Sequence, residues 1–353
     1  MIAIRGRKGN YAYACARIRA KKSLLLTKDN YPKLLMMDLN EIGRFLGETQ
    51  YQVEMAELAS RYSGVNLIEI GTSRNLARIC RQVLGFCSGE LKDMVASYLA
   101  RWDEWNVKTI LRGKYYGATT EEIFEDLVPA GRLDEEYLRS LISMETIPEI
   151  LDAVTKKGGA TIPSEVRAAY EETGALEPLE EYFDKIYFSR LLESIRGKRR
   201  PEKLFLAFIQ KEIDINNLRT LLKLKREGIP LERIRTYFIE GGKELKIDDL
   251  VRLAGVESFE QMVDELSFYS FYEGIKESLE IAKHTDSLTK VMLALQKHLA
   301  KEAEKFSHQF PLSILPILDY MIRKKVEVDN IRIIARGKES GLDADVIKGL
   351  LVM

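Results

Sequence analysis

One sequence pattern occurs three times in this chain of 353 residues, and it constrains the fold more than any other feature. The segments read NVKTILRGKYYG, NLRTLLKLKREG and NIRIIARGKESG, and we call each one an Asn motif. Basic residues stand two and six positions after the Asn, a Lys at position +8 and a Gly at position +11. These Asn, Lys and Gly positions are Asn106, Lys114 and Gly117, then Asn217, Lys225 and Gly228, then Asn330, Lys338 and Gly341. A catalytic constellation normally occurs once per chain, so the pattern predicts a repeated fold rather than an active site.

A second pattern stands before each Asn motif, and we call it the helix pair. Its apolar residues are three positions apart: Met36, Leu39, Ile42 and Phe45; Leu141, Met144, Ile147 and Ile150; Leu253, Val256, Phe259 and Met262. A repeated step of three drifts off the face of one helix, so it predicts two short helices with a break between them. Thr146 with Glu149, and Ser258 with Gln261, have capping-box spacing at that break. In the first copy only Asn40 stands near the corresponding place.

The order helix pair and then Asn motif, repeated three times, predicts three similar helical domains, 1–125, 126–238 and 239–353. Apolar spacing elsewhere is also helical, so the predicted class is all-α. We expect amphipathic helices at 179–195, 203–213 and 259–298, and only GVNLIEIG at 64–71 has strand character. Three equivalent units can extend as an open array or close into a ring with approximate threefold symmetry.

On a helix, positions +1, +4 and +5 of the Asn motif form one apolar stripe. The stripe residues are Val107, Ile110 and Leu111, then Leu218, Leu221 and Leu222, then Ile331, Ile334 and Ala335. The Lys at +8 falls on this stripe, and so does an acid three residues before each Asn, namely Asp103, Asp214 and Glu327. One hypothesis is that this acid pairs with the Lys of a neighbouring helix; the other is that the stripe ends before +8 and the Lys is exposed. We expect the Asn to bond backbone at a helix junction.

The charge balance argues against a nucleic-acid-binding protein, since 54 Lys and Arg face 54 Asp and Glu. Residues 1–28 nevertheless hold eight basic side chains and no acid. Either acids elsewhere in the fold neutralise these charges, or the stretch contacts an acidic partner or a lipid headgroup. Three Cys without a C-x-x-C pair favour a reducing compartment. The longest uncharged run, 306–318, is too short to span a bilayer, so any membrane role is expected to be peripheral.

The usual signatures of catalysis and cofactor binding are missing from the sequence. None of the three His belongs to an H-E-x-x-H motif, and no Cys stands at metal-ligand spacing from one. Four Gly-Lys pairs occur, but none is followed by the Ser or Thr of a P-loop. The sequence therefore predicts no catalytic residue, no cofactor, no metal site and no direct nucleotide binding.

Five segments of the sequence carry a resemblance to a known family. They are YAYACARIRAKKSLLL at 11–26, LARWDEWNVKTILRGK at 99–114, KEIDINNLRTLLKLKREG at 211–228 with FIEGGKEL at 238–245, and LPILDYMIRKKVEVDNIRIIARGKESGL at 315–342. Together they resemble the C subunit of the archaeal-type (A-type/V-type) rotary ATP synthase, which is related to the d subunit of the vacuolar proton-pumping ATPase.

The resemblance implies a funnel or collar of three helical domains with pseudo-threefold symmetry. It also implies a non-catalytic part of the central stalk, a socket that couples a shaft of the D and F subunits to the membrane proteolipid (c/K) ring. Such a protein contributes to ATP synthesis or hydrolysis coupled to proton or sodium transport. It would be peripheral, at the cytoplasmic face of the cell membrane. The alternative is a soluble helical repeat scaffold for protein–protein interaction unrelated to a rotary motor; an RNA-binding helical array is disfavoured by the zero net charge.

Overall fold

The computed structural model describes residues 8–157, 161–195, 199–285 and 287–353, and these ranges contain helices and no strand. The predicted all-α class is confirmed. The first ten helices are α1 Tyr11–Lys22, α2 Asn30–Met36, α3 Leu39–Gly47, α4 Gln52–Leu58, α5 Gly64–Phe86, α6 Gly89–Leu99, α7 Arg101–Tyr115, α8 Thr120–Glu125, α9 Glu135–Ile142 and α10 Ile147–Lys156. The others are α11 Ser164–Thr173, α12 Glu177–Ser194, α13 Arg200–Glu227, α14 Leu231–Ile234, α15 Ile247–Gly255, α16 Phe259–Glu265, α17 Tyr272–Lys283, α18 Thr289–Gln309, α19 Leu315–Glu339 and α20 Ala344–Gly349. Short 3-10 turns cover Arg235–Tyr237 and Leu266–Phe268.

The contacts between residues divide the chain into two compact units that interleave along the sequence. Unit 1 contains the N-terminal residues as far as Ala14 together with Gly43–Ser194, and unit 2 contains Cys15–Ile42 together with Ile195–Met353. The division into three repeats, with boundaries after 125 and 238, stays a prediction from the sequence.

The core of unit 1 forms around α7. Its apolar stripe, Val107, Ile110 and Leu111, is at most 1% exposed and packs with side chains of α8, α9, α10 and α12. Burying such aliphatic side chains contributes about 1.5–3 kcal/mol each. The stripe predicted from the sequence is thus the surface on which this unit is built.

The core of unit 2 forms around the long helix α13, whose stripe residues Leu218, Leu221 and Leu222 are fully buried against α15, α16, α17 and α18. Helix α18 packs in turn against α19. The N-terminal residues of this unit, 15–42, lie against its C-terminal residues, since α2 contacts α20. Lys22 also pairs with Asp319 at 2.6 Å, so an acid from a distant part of the chain neutralises one charge of the basic N-terminal stretch.

Two helix predictions were wrong. The segment 64–71, to which we assigned strand character, begins the 23-residue helix α5. Both sides of that helix's first turns are covered, with Val65, Ile68 and Ile70 all buried. A buried helix therefore reads locally as an apolar run without a helical period. The single helix expected at 259–298 is divided into α16, a 3-10 turn, α17 and α18.

The helix pairs have the predicted break in all three copies: between α2 and α3, between α9 and α10, and between α15 and α16. Thr146 and Glu149 form the predicted capping box, and the Ser258 side chain accepts the Gln261 N–H at 3.1 Å. The first copy is capped by Asp38 rather than by Asn40. The Asp38 carboxylate accepts the Glu41 N–H at 2.8 Å, and the Glu41 carboxylate accepts the Asp38 N–H at 2.9 Å.

Candidate functional site

The three motif asparagines are fully buried and make the same pair of hydrogen bonds. In each case the side-chain amide donates to the carbonyl, and its oxygen accepts from the N–H, of the residue 22 positions later. The pairs are Asn106 with Val128 at 2.8 Å, Asn217 with Ile239 at 2.8 Å, and Asn330 with Val352 at 2.9 Å. One side chain thereby satisfies both backbone polar groups of a loop residue, which is buried at Val128 and Val352 and half-buried at Ile239. This is the backbone role expected for the Asn, and the first two bond pairs join residues across the predicted domain boundaries.

The acids three residues before each Asn also hold backbone N–H groups. Asp103 accepts from Arg132 at 3.0 Å and Leu133 at 2.9 Å, which lie 29 and 30 positions later. Asp214 accepts from three successive N–H groups, those of Lys243, Glu244 and Leu245, at 2.9–3.1 Å. The third copy differs, because the Glu327 carboxylate accepts the N–H of Leu26. Residues near the start of the chain therefore complete the third copy.

The lysines at +8 are half-buried, and two of them bind carbonyl oxygens rather than carboxylates. Lys225 donates to the carbonyls of Ala254, at 3.1 Å, and Val256, while Lys338 donates to the Leu35 carbonyl at 2.7 Å. These carbonyls lie at the C-terminal ends of α15 and α2, where a cation is favourable. Pairing between the motif acid and the Lys is thus wrong for these two copies. The described residues offer no corresponding hydrogen bond to Lys114.

The glycines at +11 end the motif helices in the left-handed conformation, with φ of 72° at Gly117, 66° at Gly228 and 68° at Gly341. The residue after each Gly donates its N–H to the carbonyl at motif position +7, at 2.8, 3.1 and 2.8 Å respectively. This is the hydrogen bond that closes a Schellman-type helix end. Glycine is favoured there because a side chain at positive φ is strained.

The sequence did not reveal that each Asn motif packs on the helix pair that follows it. In unit 1 the stripe of the first motif shares a core with Leu141, Ile147 and Ile150 of the second helix pair. In unit 2 the second motif holds the third helix pair through Lys225, and the third motif holds the first helix pair through Lys338. The order of packing along the chain is therefore cyclic. The one trace of this packing in the sequence is the constant offset of 22 residues between each motif Asn and the backbone group that it binds. This offset can be recognised only once the binding partner is known.

Unit 1 contains a cavity of about 560 Å³ beside the first motif helix. Its walls combine apolar residues with Asp103, Glu104, Arg132, Arg190 and other charged groups. Burial raises the pKa of Glu104 to about 7; the charges of Asp103 and Asp184 add to this, and those of Arg190 and Lys108 oppose it. Nowhere in the described ranges do three or more His, Cys, Asp or Glu side chains form a group that could hold a metal ion.

Glu104 is expected to make the protein less stable as the pH rises. Because its pKa is higher in the folded chain than in the unfolded one, the folded state holds the extra proton between these two values, and stability falls through that window up to about pH 7. Glu104→Gln should therefore raise the melting temperature relative to the parent at about pH 8 and change it little at about pH 4.5. The exposed Glu136→Gln is the control, and it should show the same small difference at both pH values. An equal shift for Glu104→Gln at both pH values would contradict the assignment.

Comparison with known proteins finds one family over nearly the whole chain. Residues 14–350 match the family described as ATP synthase (C/AC39) subunit. The chain is similar to the A-type ATP synthase C subunit of Methanococcoides burtonii, with 40% identity over 349 residues that cover 99% of this chain and 96% of the relative. It is 41% identical to the protein of the same name from Methanosarcina acetivorans, over 98% of this chain and 93% of the relative. The corresponding Haloferax volcanii protein is 37% identical over 98% of each chain. All three Asn motifs lie within the matched residues.

Proposed function

This chain belongs to the ATP synthase (C/AC39) subunit family, and from that premise we propose that it is the non-catalytic central-stalk socket of a rotary ATP synthase. In this role it holds the foot of a shaft formed by the D and F subunits. It couples that shaft to the membrane proteolipid ring, and it binds no nucleotide itself. Its contribution is to transmit torque between ion flow and ATP synthesis or hydrolysis.

The observation that carries the proposal is the cyclic order of packing. The third Asn motif binds residues near the start of the chain, through Glu327 to Leu26 and through Lys338 to Leu35. Three equivalent repeats that each engage the next one, with the last engaging the first, favour a closed ring over an open array. A closed ring leaves an axial opening, and an elongated shaft fits such an opening.

The proposed location is the cytoplasmic face of the membrane, as a peripheral part of the complex. None of the helices that the structure describes has the length and apolar character needed to cross a bilayer. In the proposal, the proteolipid ring supplies the contact with the membrane.

Co-purification tests the socket against the alternative of an unrelated helical scaffold. The tagged full chain is mixed with a purified, folded complex of the D and F subunits, and separately with detergent-solubilised proteolipid ring. We expect retention of both, with one copy of the chain per shaft on size-exclusion chromatography. An unrelated all-helical protein of similar isoelectric point, about 6.9, is the control for non-specific retention. Retention of neither partner while both are folded would overturn the proposal and favour the scaffold.

A further inference from the structure

The basic residues of the Asn motif have different surroundings in the two units. At motif positions +2 and +6 of α7, Lys108 pairs with Asp184, and Arg112 pairs with Glu180 through both of its carboxylate oxygens. Both acids belong to α12, which packs against α7 in unit 1. In the first copy, therefore, the chain itself neutralises the basic face of the motif helix.

The same two positions on α13 in unit 2 are Arg219 and Lys223, and no ion pair to either occurs within the described ranges of the chain. Arg219 is half-buried, and its Nε has no hydrogen-bond acceptor there. Burial lowers the pKa of Arg219, and the charge of the buried Glu212 opposes that shift. A half-buried guanidinium without a carboxylate beside it is unfavourable, so a carboxylate brought by a partner would stabilise Arg219.

Helix α18 packs against α13 in unit 2, as α12 packs against α7 in unit 1. The first thirteen residues of α18, 289–301, contain Lys290, Lys297 and Lys301 and no acid. The part of α12 beside α7 instead contains the carboxylates that neutralise that helix. Glu302, the next residue of α18, pairs with Lys211 of α13 at 2.5 Å, but no acid of α18 pairs with Arg219 or Lys223 in the described ranges.

Helix α19 contacts both α13 and α18 and adds further basic residues. One face of α19 carries four charged residues, which are four, three and four positions apart: Lys325, Asp329, Arg332 and Arg336. Only Asp329 among these four is an acid, and its carboxylate already pairs with Lys325. Arg219 and Lys223 have no ion pair within the described ranges, and together with the lysines of α18 they make this part of unit 2 complementary to an acidic partner.

We propose that the Arg219–Lys223 face of α13 is the place where an acidic segment of the shaft docks, with its carboxylates taking the role that Asp184 and Glu180 have in the first copy. This inference rests on the proposed socket function and specifies the chemistry of the shaft segment that enters it. Arg219 forms a charge-assisted hydrogen bond to the incoming carboxylate. Lys223, which is exposed, steers the acidic segment toward the face.

The test compares two matched double variants of the full chain for binding to the D and F shaft complex, by calorimetry at several salt concentrations. Arg219→Gln/Lys223→Gln should weaken binding at least about tenfold and flatten its salt dependence, since two cationic contacts are removed. Lys108→Gln/Arg112→Gln removes the same charges at the internally paired positions and should change the affinity less than about twofold. Helical content and melting temperature of each variant are checked first, and the single variant Lys223→Gln, at an exposed position, serves if the double variant does not fold.

The possible results separate this inference from the proposed function. If the parent binds the shaft and Arg219→Gln/Lys223→Gln binds equally well with the same salt dependence, the docking face is wrong and the socket stands. If the parent does not bind the shaft, the proposed function fails. Binding to phosphatidylglycerol vesicles is measured in parallel. A loss of vesicle binding without a loss of shaft binding would assign the face to lipid and overturn the inference.

Discussion

Glu327→Gln is expected to lower the free energy of unfolding by about 3–5 kcal/mol, the usual cost of breaking a buried ion pair from one side. The Glu327 carboxylate lies 2.8 Å from the ammonium of Lys324, and the two residues are 2% and 0% exposed. Gln at position 327 can still accept the N–H of Leu26, but it leaves the Lys324 charge in the core without this carboxylate. The effect is measured by urea unfolding, followed by circular dichroism.

Two further variants separate the ion pair from the packing around it. Lys324→Met should be destabilising by a similar amount, because it takes the ammonium away from the buried Glu327 carboxylate. The double variant Lys324→Met/Glu327→Gln removes both charges and should recover a large part of the loss. The control is Lys325→Met, one position further along the helix. The Lys325 side chain pairs with Asp329 and is 39% exposed, so this substitution should lower the free energy of unfolding by less than about 1 kcal/mol. Additive losses in the double variant would contradict the coupling.

Asn217→Leu is expected to lower the free energy of unfolding by about 2–5 kcal/mol, since two polar groups lose their partners at once. The Asn217 amide satisfies both the N–H and the carbonyl of Ile239, each at 2.8 Å. Leu improves helix propensity and leaves no cavity, so a loss of stability reports the missing hydrogen bonds. Chemical unfolding of the purified chain measures it.

Asn216→Leu is the matched control, because the same substitution is made one residue away on the same helix. Asn216 is half-buried and the structure gives its side chain no hydrogen bond among the described residues, so we expect a change within about 0.5 kcal/mol. Equal effects of the two substitutions would show that the Asn217 bonds do not hold the Ile239 loop. Asn106→Leu should repeat the Asn217 result, since Asn106 bonds Val128 in the same way.

Much of the repeated motif could be predicted from the sequence because its constraints are local. The stripe at +1, +4 and +5 follows from the helical period, and its side chains are at most 1% exposed in all three copies. The Gly at +11 marks a helix end because it must adopt positive φ, as Gly117, Gly228 and Gly341 do. The break in each helix pair follows from the repeated step of three, and capping spacing marks it in the second and third copies. Family membership, predicted from five quoted segments, is confirmed.

The predictions that failed depended on surroundings that lie far along the chain. The segment 64–71 lost its helical signature because neighbouring elements cover both sides of α5. The Lys at +8 was expected to find the motif acid, but Asp103 and Asp214 bind successive N–H groups of a loop, while Lys225 and Lys338 bind carbonyls at helix ends. Both arrangements satisfy buried polar groups, and local spacing does not distinguish between them.

The sequence by itself determined that the fold is helical, that it is built from a motif present three times, and which residues of that motif are buried. These properties depend on period and register within a few turns of helix. Only the tertiary structure decided which helix pair each Asn motif holds. It placed Leu26 against Glu327, which is 301 positions away, and Leu35 against Lys338, which is 303 positions away. Hydrogen bonds of this kind depend on which parts of the chain meet in space, and three nearly identical motifs carry no local information that tells one partner from another.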